Sequence, residues 1–306
     1  MSTDALVTLN GPTMGTRWSV RLASRHASED LTAALQDAVN AVERQMSTWR
    51  PDSDLMRLNT ATPGAWVDVG AELIEVLGIA AEVTATSGGA FDIGVGEAVT
   101  AWGFGPAQGR ADEAAIRTAL GRQLRAEVES DPGMGRARRL NERRLDLSGV
   151  AKGFAVDQMA GVLRRRGVRG FLLALDGEIL VDDVRPDGRP WAVALEEPDP
   201  SRRAARGLIE VADGAVATSG DYRHRVRLGA DWLSHTMDPR SGGPVRNRLA
   251  SVTVLAADCA RADAWATALM VLGESDGPSL ARRSRIEAIF LIHEDDGLKE
   301  ISTLGS

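Results

Sequence analysis

Cysteine is almost missing. Cys259 stands alone among 306 residues, which excludes an internal disulfide framework and any cysteine-clustered metal site. Basic residues are in deficit, with 36 Lys and Arg against 43 Asp and Glu and a formal charge of −7. A general nucleic-acid binder needs a basic face that releases counterions, so this balance argues against that class. No apolar run approaches the roughly 20 residues needed to span a bilayer. The opening MSTDALVTLNGPTMG has no basic stretch, apolar core and cleavage site in series, and no cysteine to carry a lipid. The expectation is a soluble, cytoplasmic protein, although a chain trimmed of its leader would read the same way. Internal repeats and low-complexity blocks are missing as well. Apolar residues are plentiful at 43% of the chain, enough for one large domain or two interlocked subdomains.

Periodicity then sets the outline. LVTLNGPTMGTRWSVRL alternates around a glycine and predicts a hairpin. Residues 28 to 48 carry Ala, Leu and Val at helical spacing behind the N-capping types Ser28, Glu29 and Asp30. A polar loop with Ser53, Asp54 and Asn59 leads to a second helix near 70 to 87, and a glycine-dense stretch follows. Residues 107 to 145 are charged, with a helix at 111 to 121, and read as a surface elaboration of a single domain covering 1–306. FLLALDGEILV predicts strand, turn and strand, and strands dominate from 190 to 257. A helix covers 259 to 272, and EAIFLIHEDDGLKEIS closes the chain as a hairpin. Strand pairs mixed with helices give an α+β fold built on one extended sheet system, not a doubly wound parallel sheet.

Three stretches hold residues suited to chemistry. In DLSGVAKGFAVDQMAGVLRRRG, Ala155, Val156, Met159, Ala160 and Leu163 form a helical stripe from about 153 to 166, closed by Arg164 to Arg166 and Gly167. The helix start falls in the SGVAKG loop, where N–H groups, the helix dipole and Lys152 suit an anion. A tight strand-to-helix turn with a solvated lysine fits the same residues, and the spacing matches neither a Walker A loop nor the dinucleotide glycine fingerprint. In CARADAWATALMVLG, Trp265, Leu269 and Leu272 share one side of a helix, and Asp263, Thr267 and Met270 the other. Asp263 and Thr267 at i and i+4 offer two hard oxygens suited to Mg²⁺, unless Asp263 only caps the helix. Of four histidines, His26 and His293 sit in surface-like contexts, while His224 and His235 lie in a Ser-, Asp- and Gly-rich segment. SHTMDPRSGG is the sort of polar loop that carries catalytic groups, with His235 as a candidate general base.

In order along the chain, PTMGT (12–16), MSTWRPDSDLMRLN (46–59), SGGAFDIGVG (87–96) with AWGFG, and DLSGVAKGFAVD (146–157) are followed by ATSGDY (217–222), SHTMDPRSGGPV (234–245) and ADAWATALMVLG (262–273). This series resembles the ApbE family, the FAD:protein FMN transferases, over most of the chain. The resemblance implies an α+β, T-fold-like architecture of interlocked subdomains around a flavin-binding cleft. It implies Mg²⁺-dependent transfer of FMN from FAD, as substrate, to a Thr or Ser hydroxyl of an acceptor flavoprotein, with release of AMP. By position, Met14, Trp49, Ala90, Phe91, Asp92, Asp146, Lys152 and Met237 would contact FAD. Asp263, Thr267 and the carbonyl of Gly149 would hold the metal, and His235 would lie near the reacting phosphate. Two departures stand out. Trp49 replaces the usual tyrosine, and Asp176 in LALDGE stands where a glycine pair before the acid is common. FAD hydrolysis to FMN and AMP, or FAD binding without turnover, would use the same residues.

Overall fold

The computed structural model describes residues 5–107, 109–121, 123, 125–199, 204–221, 225–228, 231–295 and 297–305, with backbone alone for 225–228, 231 and 232. Tyr222 and His224 of the sequence motifs lie outside the described residues, as does Asp296 of the closing turn.

Alternation along the strands builds an eight-stranded sheet in which every neighbouring pair is antiparallel. Its spatial order is Leu6–Thr13, Thr16–Ala23, Phe171–Leu175, Glu178–Asp182, Gly214–Gly220, Leu249–Ala256, Glu287–Glu294 and Gly297–Ser302. One face presents Leu173, Leu175, Leu180, Ala215, Ala217, Val252 and Val254 to the main core. The other presents Leu172, Ile179, Val181, Val216 and Leu255 to a smaller cluster with Trp191, Val193 and Val211. A side-chain period of two sorts these neighbours to opposite faces. The second face is covered by a two-stranded ribbon, Trp191–Glu196 with Ala205–Val211.

The helices are α1 (Glu29–Met46), α2 (Asp54–Thr60), α3 (Ala71–Thr86), α4 (Gly96–Ala101), α5 (Glu113–Ala119), α6 (Ala151–Arg165) and α7 (Cys259–Arg283). Leu31, Leu35, Val39, Val42 and Met46 form the buried stripe of α1, whose N-cap Ser28 accepts from Leu31 N at 3.0 Å. α6 packs against α1 and α7, and α7 lies on the Gly214–Gly220 and Leu249–Ala256 strands. α7 is covered nearly all round, as its apolar composition implies. No helix among the described residues is long and apolar enough to cross a membrane.

Two elements differ from the sequence expectation. The polar stretch at 53–59 is helical, because Ser53 Oγ accepts from Met56 N at 3.1 Å and the turn buries Leu55 and Leu58 completely. α7 continues beyond 272 after a break at Gly273, which adopts φ 81° and ψ −175°. The carbonyls freed there are taken up by Asn247 Nδ2 (to Met270 O, 2.8 Å) and Arg240 Nη2 (to Val271 O, 3.2 Å). Within 107–145, α5 is followed by strands Val128–Asp131 and Arg136–Arg139, which form a small sheet with Val67–Asp68.

Candidate active site

Two hairpin turns, the start of α6, the side of α7 that carries Asp263 and Thr267, and two loops meet in a cleft of ≈ 760 Å³, within the range of small-molecule sites. The opening hairpin contributes its tip, where Met14 (φ 46°) and Gly15 (φ 74°) form a two-residue turn with both backbones left-handed. Met14 thus presents its side chain to the cleft from a backbone conformation that costs a non-glycine residue energy. The glycine-dense stretch supplies Ala90, Phe91 and Asp92. Asp92 Oδ1 accepts from Gly94 N at 2.8 Å and Ala126 N at 2.9 Å. Burial raises its carboxyl above the usual range, and these two bonds oppose that shift.

Asp146 enters the cleft because the segment before it is clamped. Asn59 bonds both faces of Leu145, donating to its carbonyl at 2.8 Å and accepting from its N–H at 2.7 Å. Buried Arg139 donates to the carbonyls of Leu58, Asn59 and Ala61, closing the end of α2 over that clamp. Asp146 Oδ1 then accepts from Ser148 N at 2.8 Å and bends the chain toward α6. Gly149 follows, so close to α7 that a Cβ there would lie 3.0 Å from Thr267 Oγ1 and 3.3 Å from the Phe91 ring.

α6 and α7 cap one another. Asp263 Oδ2, on α7, accepts from Gly153 N at 3.1 Å, and Asp157, on α6, accepts from Cys259 N and Ala260 N, both at 2.8 Å. A Cβ on Gly153 would come within 2.3 Å of the Cys259 carbonyl oxygen, so only glycine permits this crossing. The capping also reduces the expected anion cradle. Of the first N–H groups of α6, that of Ala151 bonds Leu147 O and that of Gly153 bonds Asp263.

Lys152 projects into the cleft and meets Glu178 Oε1 at 2.8 Å and Asp176 Oδ2 at 3.6 Å. Glu178 is only 2% exposed, and its Oε2 is buried without a hydrogen-bond partner. Burial opposes the charge of Lys152, but Glu178, Asp263 and Asp176 hold the ammonium above the ordinary lysine range. Burial likewise pushes the Glu178 carboxyl up against the pull of Lys152, and pushes Asp263 up to about 6. Glu178 was not singled out from sequence. The signals for it are its place as the acid that ends LALDGE and its alternation with Leu180, which puts it on the helix-covered face of its strand.

The lining also includes His235, Thr236, Met237 and Pro239. Their loop is pinned at several points. Arg240 grips Asp238 through two 2.9 Å bonds, Val245 N donates to Thr236 O, and Trp102 Nε1 donates to Gly242 O at 3.1 Å. Thr267 Oγ1 lies 3.3 Å from Ser219 Oγ, tying α7 to the end of a central strand.

Of the residues named from sequence, Met14, Ala90, Phe91, Asp92, Asp146, Gly149, Lys152, His235, Met237, Asp263 and Thr267 all line this one cleft. Trp49 does not. It is 58% exposed on the loop after α1 and outside the lining residues. Among the described residues no group of three or more His, Cys, Asp or Glu converges as a metal cage. The oxygen donors of Asp263, Thr267 and Gly149 nevertheless suit Mg²⁺ chemically. Asp176, Glu178 and Asp263 outnumber the single ammonium of Lys152, and Glu178 Oε2 is orphaned. A divalent cation would relieve that excess, so the residues fit the group.

The chain is similar to known proteins over nearly its whole length. A relative named FAD:protein FMN transferase from Vibrio cholerae serotype O1 is 35% identical over 97% of this chain and 90% of its own length. One of the same name from Escherichia coli (strain K12) is 30% identical over 95% and 85%. The solved flavin transferase ApbE of Vibrio cholerae superposes with a TM-score of 0.86 at 34% identity, covering 98% of both chains. The apo flavinyl transferase ApbE of Pseudomonas stutzeri gives 0.85 at 34% identity, covering 98% of this chain and 95% of that one. The model of the ApbE family matches residues 14–290, and the chain belongs to that family.

Proposed function

We propose that this chain is an FAD:protein FMN transferase, moving FMN from FAD onto a Thr or Ser hydroxyl of an acceptor protein in a Mg²⁺-dependent reaction that releases AMP. The observation that carries the reading is the convergence of Lys152, Asp263, Thr267, Gly149 and His235 on one cleft in a member of this family. Lys152 meets the pyrophosphate, and the apolar walls from Met14, Phe91 and Met237 hold the flat ring systems. Asp263, Thr267 and the Gly149 carbonyl would hold Mg²⁺, which when bound supplies Lewis-acid neutralisation of the pyrophosphate charge. In the transfer, a lone pair of the acceptor hydroxyl oxygen forms a bond to the phosphorus of the FMN half. The bond from that phosphorus to the bridging oxygen breaks, and the electron pair leaves with AMP. The hydroxyl proton passes to His235. Positioning and charge stabilisation supply most of the rate, as in phosphoryl transfer generally.

The test is AMP release from FAD and Mg²⁺ with and without a Thr-containing acceptor protein. The reading expects AMP only when the acceptor is present, with flavin fluorescence on the acceptor band of a denaturing gel. AMP and free FMN in equal amounts without acceptor would make the protein an FAD pyrophosphatase instead.

A further inference from the structure

We propose that Asp176 makes dinucleotide binding in this chain conditional on a divalent cation, by setting a second carboxylate against the one ammonium that faces the pyrophosphate. The inference rests on the reading of the cleft as an FAD site. Asp176 and Gly177 form the two-residue turn between strands Phe171–Leu175 and Glu178–Asp182, and both line the cleft. Asp176 adopts φ 56°, a left-handed conformation that glycine takes without strain. Aspartate is among the few other residues that tolerate this region, and here it brings a charge to the turn. That charge lies 3.6 Å from Lys152 Nζ, with Asp176 37% and Lys152 30% exposed.

Lys152 is already matched by Glu178 at 2.8 Å. Asp176 therefore adds to an existing balance of charge, and Asp263 lies in the same field. A second observation is independent of the carboxylate count. Glu178 Oε2 is buried in the cleft wall with no donor. A pyrophosphate entering such a cleft alone meets net repulsion, whereas one entering with a cation does not. Neutralising Asp176 should therefore tighten metal-free binding of FAD roughly tenfold, the scale of one charge acting across a part-exposed site. It should also weaken binding of a divalent cation to the FAD-free protein by a similar factor.

The experiment uses Asp176→Asn and Asp176→Gly, both suited to a left-handed turn position. Protein stripped with EDTA is titrated with FAD by flavin fluorescence, first in EDTA and then in Mg²⁺, and Mn²⁺ binding without FAD is followed by paramagnetic resonance. Both variants should shrink the ratio of the two FAD dissociation constants about tenfold and should bind Mn²⁺ more weakly. An unchanged ratio in Asp176→Asn overturns the proposal, and so does a change confined to Asp176→Gly, which would trace the effect to the turn backbone. If the wild-type protein binds FAD in neither condition, the FAD reading of the cleft fails first and takes this inference with it.

Discussion

Gly149 meets a close steric demand in the cleft, with Thr267 Oγ1 and the Phe91 ring both within contact distance of any added Cβ. Gly149→Ala should leave the melting temperature within a few degrees, because the neighbours are side chains that give slightly. It should lower kcat for AMP release at least tenfold, roughly the cost of displacing groups that must be held to a fraction of an ångström. A variant with wild-type kcat would remove Gly149 from the site. Lys152 carries a different demand. Lys152→Met leaves Glu178 buried without its partner, and urea unfolding should show a loss of about 3 kcal/mol. A loss below about 0.5 kcal/mol, the level of a pair that contributes little, would mean that the pair is a surface contact. Lys152 was legible in the sequence because it stands at a helix start, and Asp263 and Thr267 because i, i+4 spacing puts both on one side of a helix. Glu178 was not, because its value depends on which strand face meets α6, and that follows only from the sheet register. Trp49 shows the converse: motif position nominates it, and the folded chain leaves it exposed on the loop after α1, outside the residues that line the cleft.

Between elements, the reciprocal capping of α6 and α7 is the main source of order in the site. Gly153→Ala forces a methyl toward the Cys259 carbonyl at 2.3 Å. It should cost about 3 kcal/mol in urea unfolding, since backbone on both sides must move. Asp157→Ala removes two bonds to the first N–H groups of α7 and should cost about 2 kcal/mol, at the upper end for a helix cap. An Asp157→Ala protein as stable as wild type would show that α7 needs no cap from α6. The helices themselves were mostly legible. α1, α3 and α6 carry long apolar stripes that a period of 3.6 reveals. α2 was hidden because seven residues, rich in Asp, Arg and Asn, give too short a stripe. The second half of α7 was hidden because Gly273 and Pro278 both read as stops. Arg240 and Asn247 from the neighbouring loop take up the carbonyls at the break, Arg248 bonds Glu274 beyond it, and Leu280 and Ala281 pack on the main core; nothing local announces these partners.

At the scale of the whole molecule, the hairpins could be read from alternation, but the order of strands in the sheet could not. Phe171–Leu175 pairs with Thr16–Ala23 across about half of the chain. That pairing brings the Met14 turn beside the Asp176 turn and so creates the cleft. Because the cleft holds more carboxylate than ammonium, Mg²⁺ should stabilise the entire fold. At a hundredfold excess over its Kd the gain should be about 2.7 kcal/mol, read as a rise in melting temperature that EDTA reverses and that Asp263→Asn abolishes. A rise retained in Asp263→Asn would place the cation elsewhere. The most direct test of the central claim counts products in one reaction. AMP and covalently bound flavin are quantified together for wild type and Asp263→Asn, with FAD, Mg²⁺ and a Thr-containing acceptor protein. The account predicts one AMP per flavinylated acceptor for wild type and neither product from a folded Asp263→Asn. Flavinylation at the wild-type rate by Asp263→Asn would contradict it, because the chemistry would then lie outside this cleft.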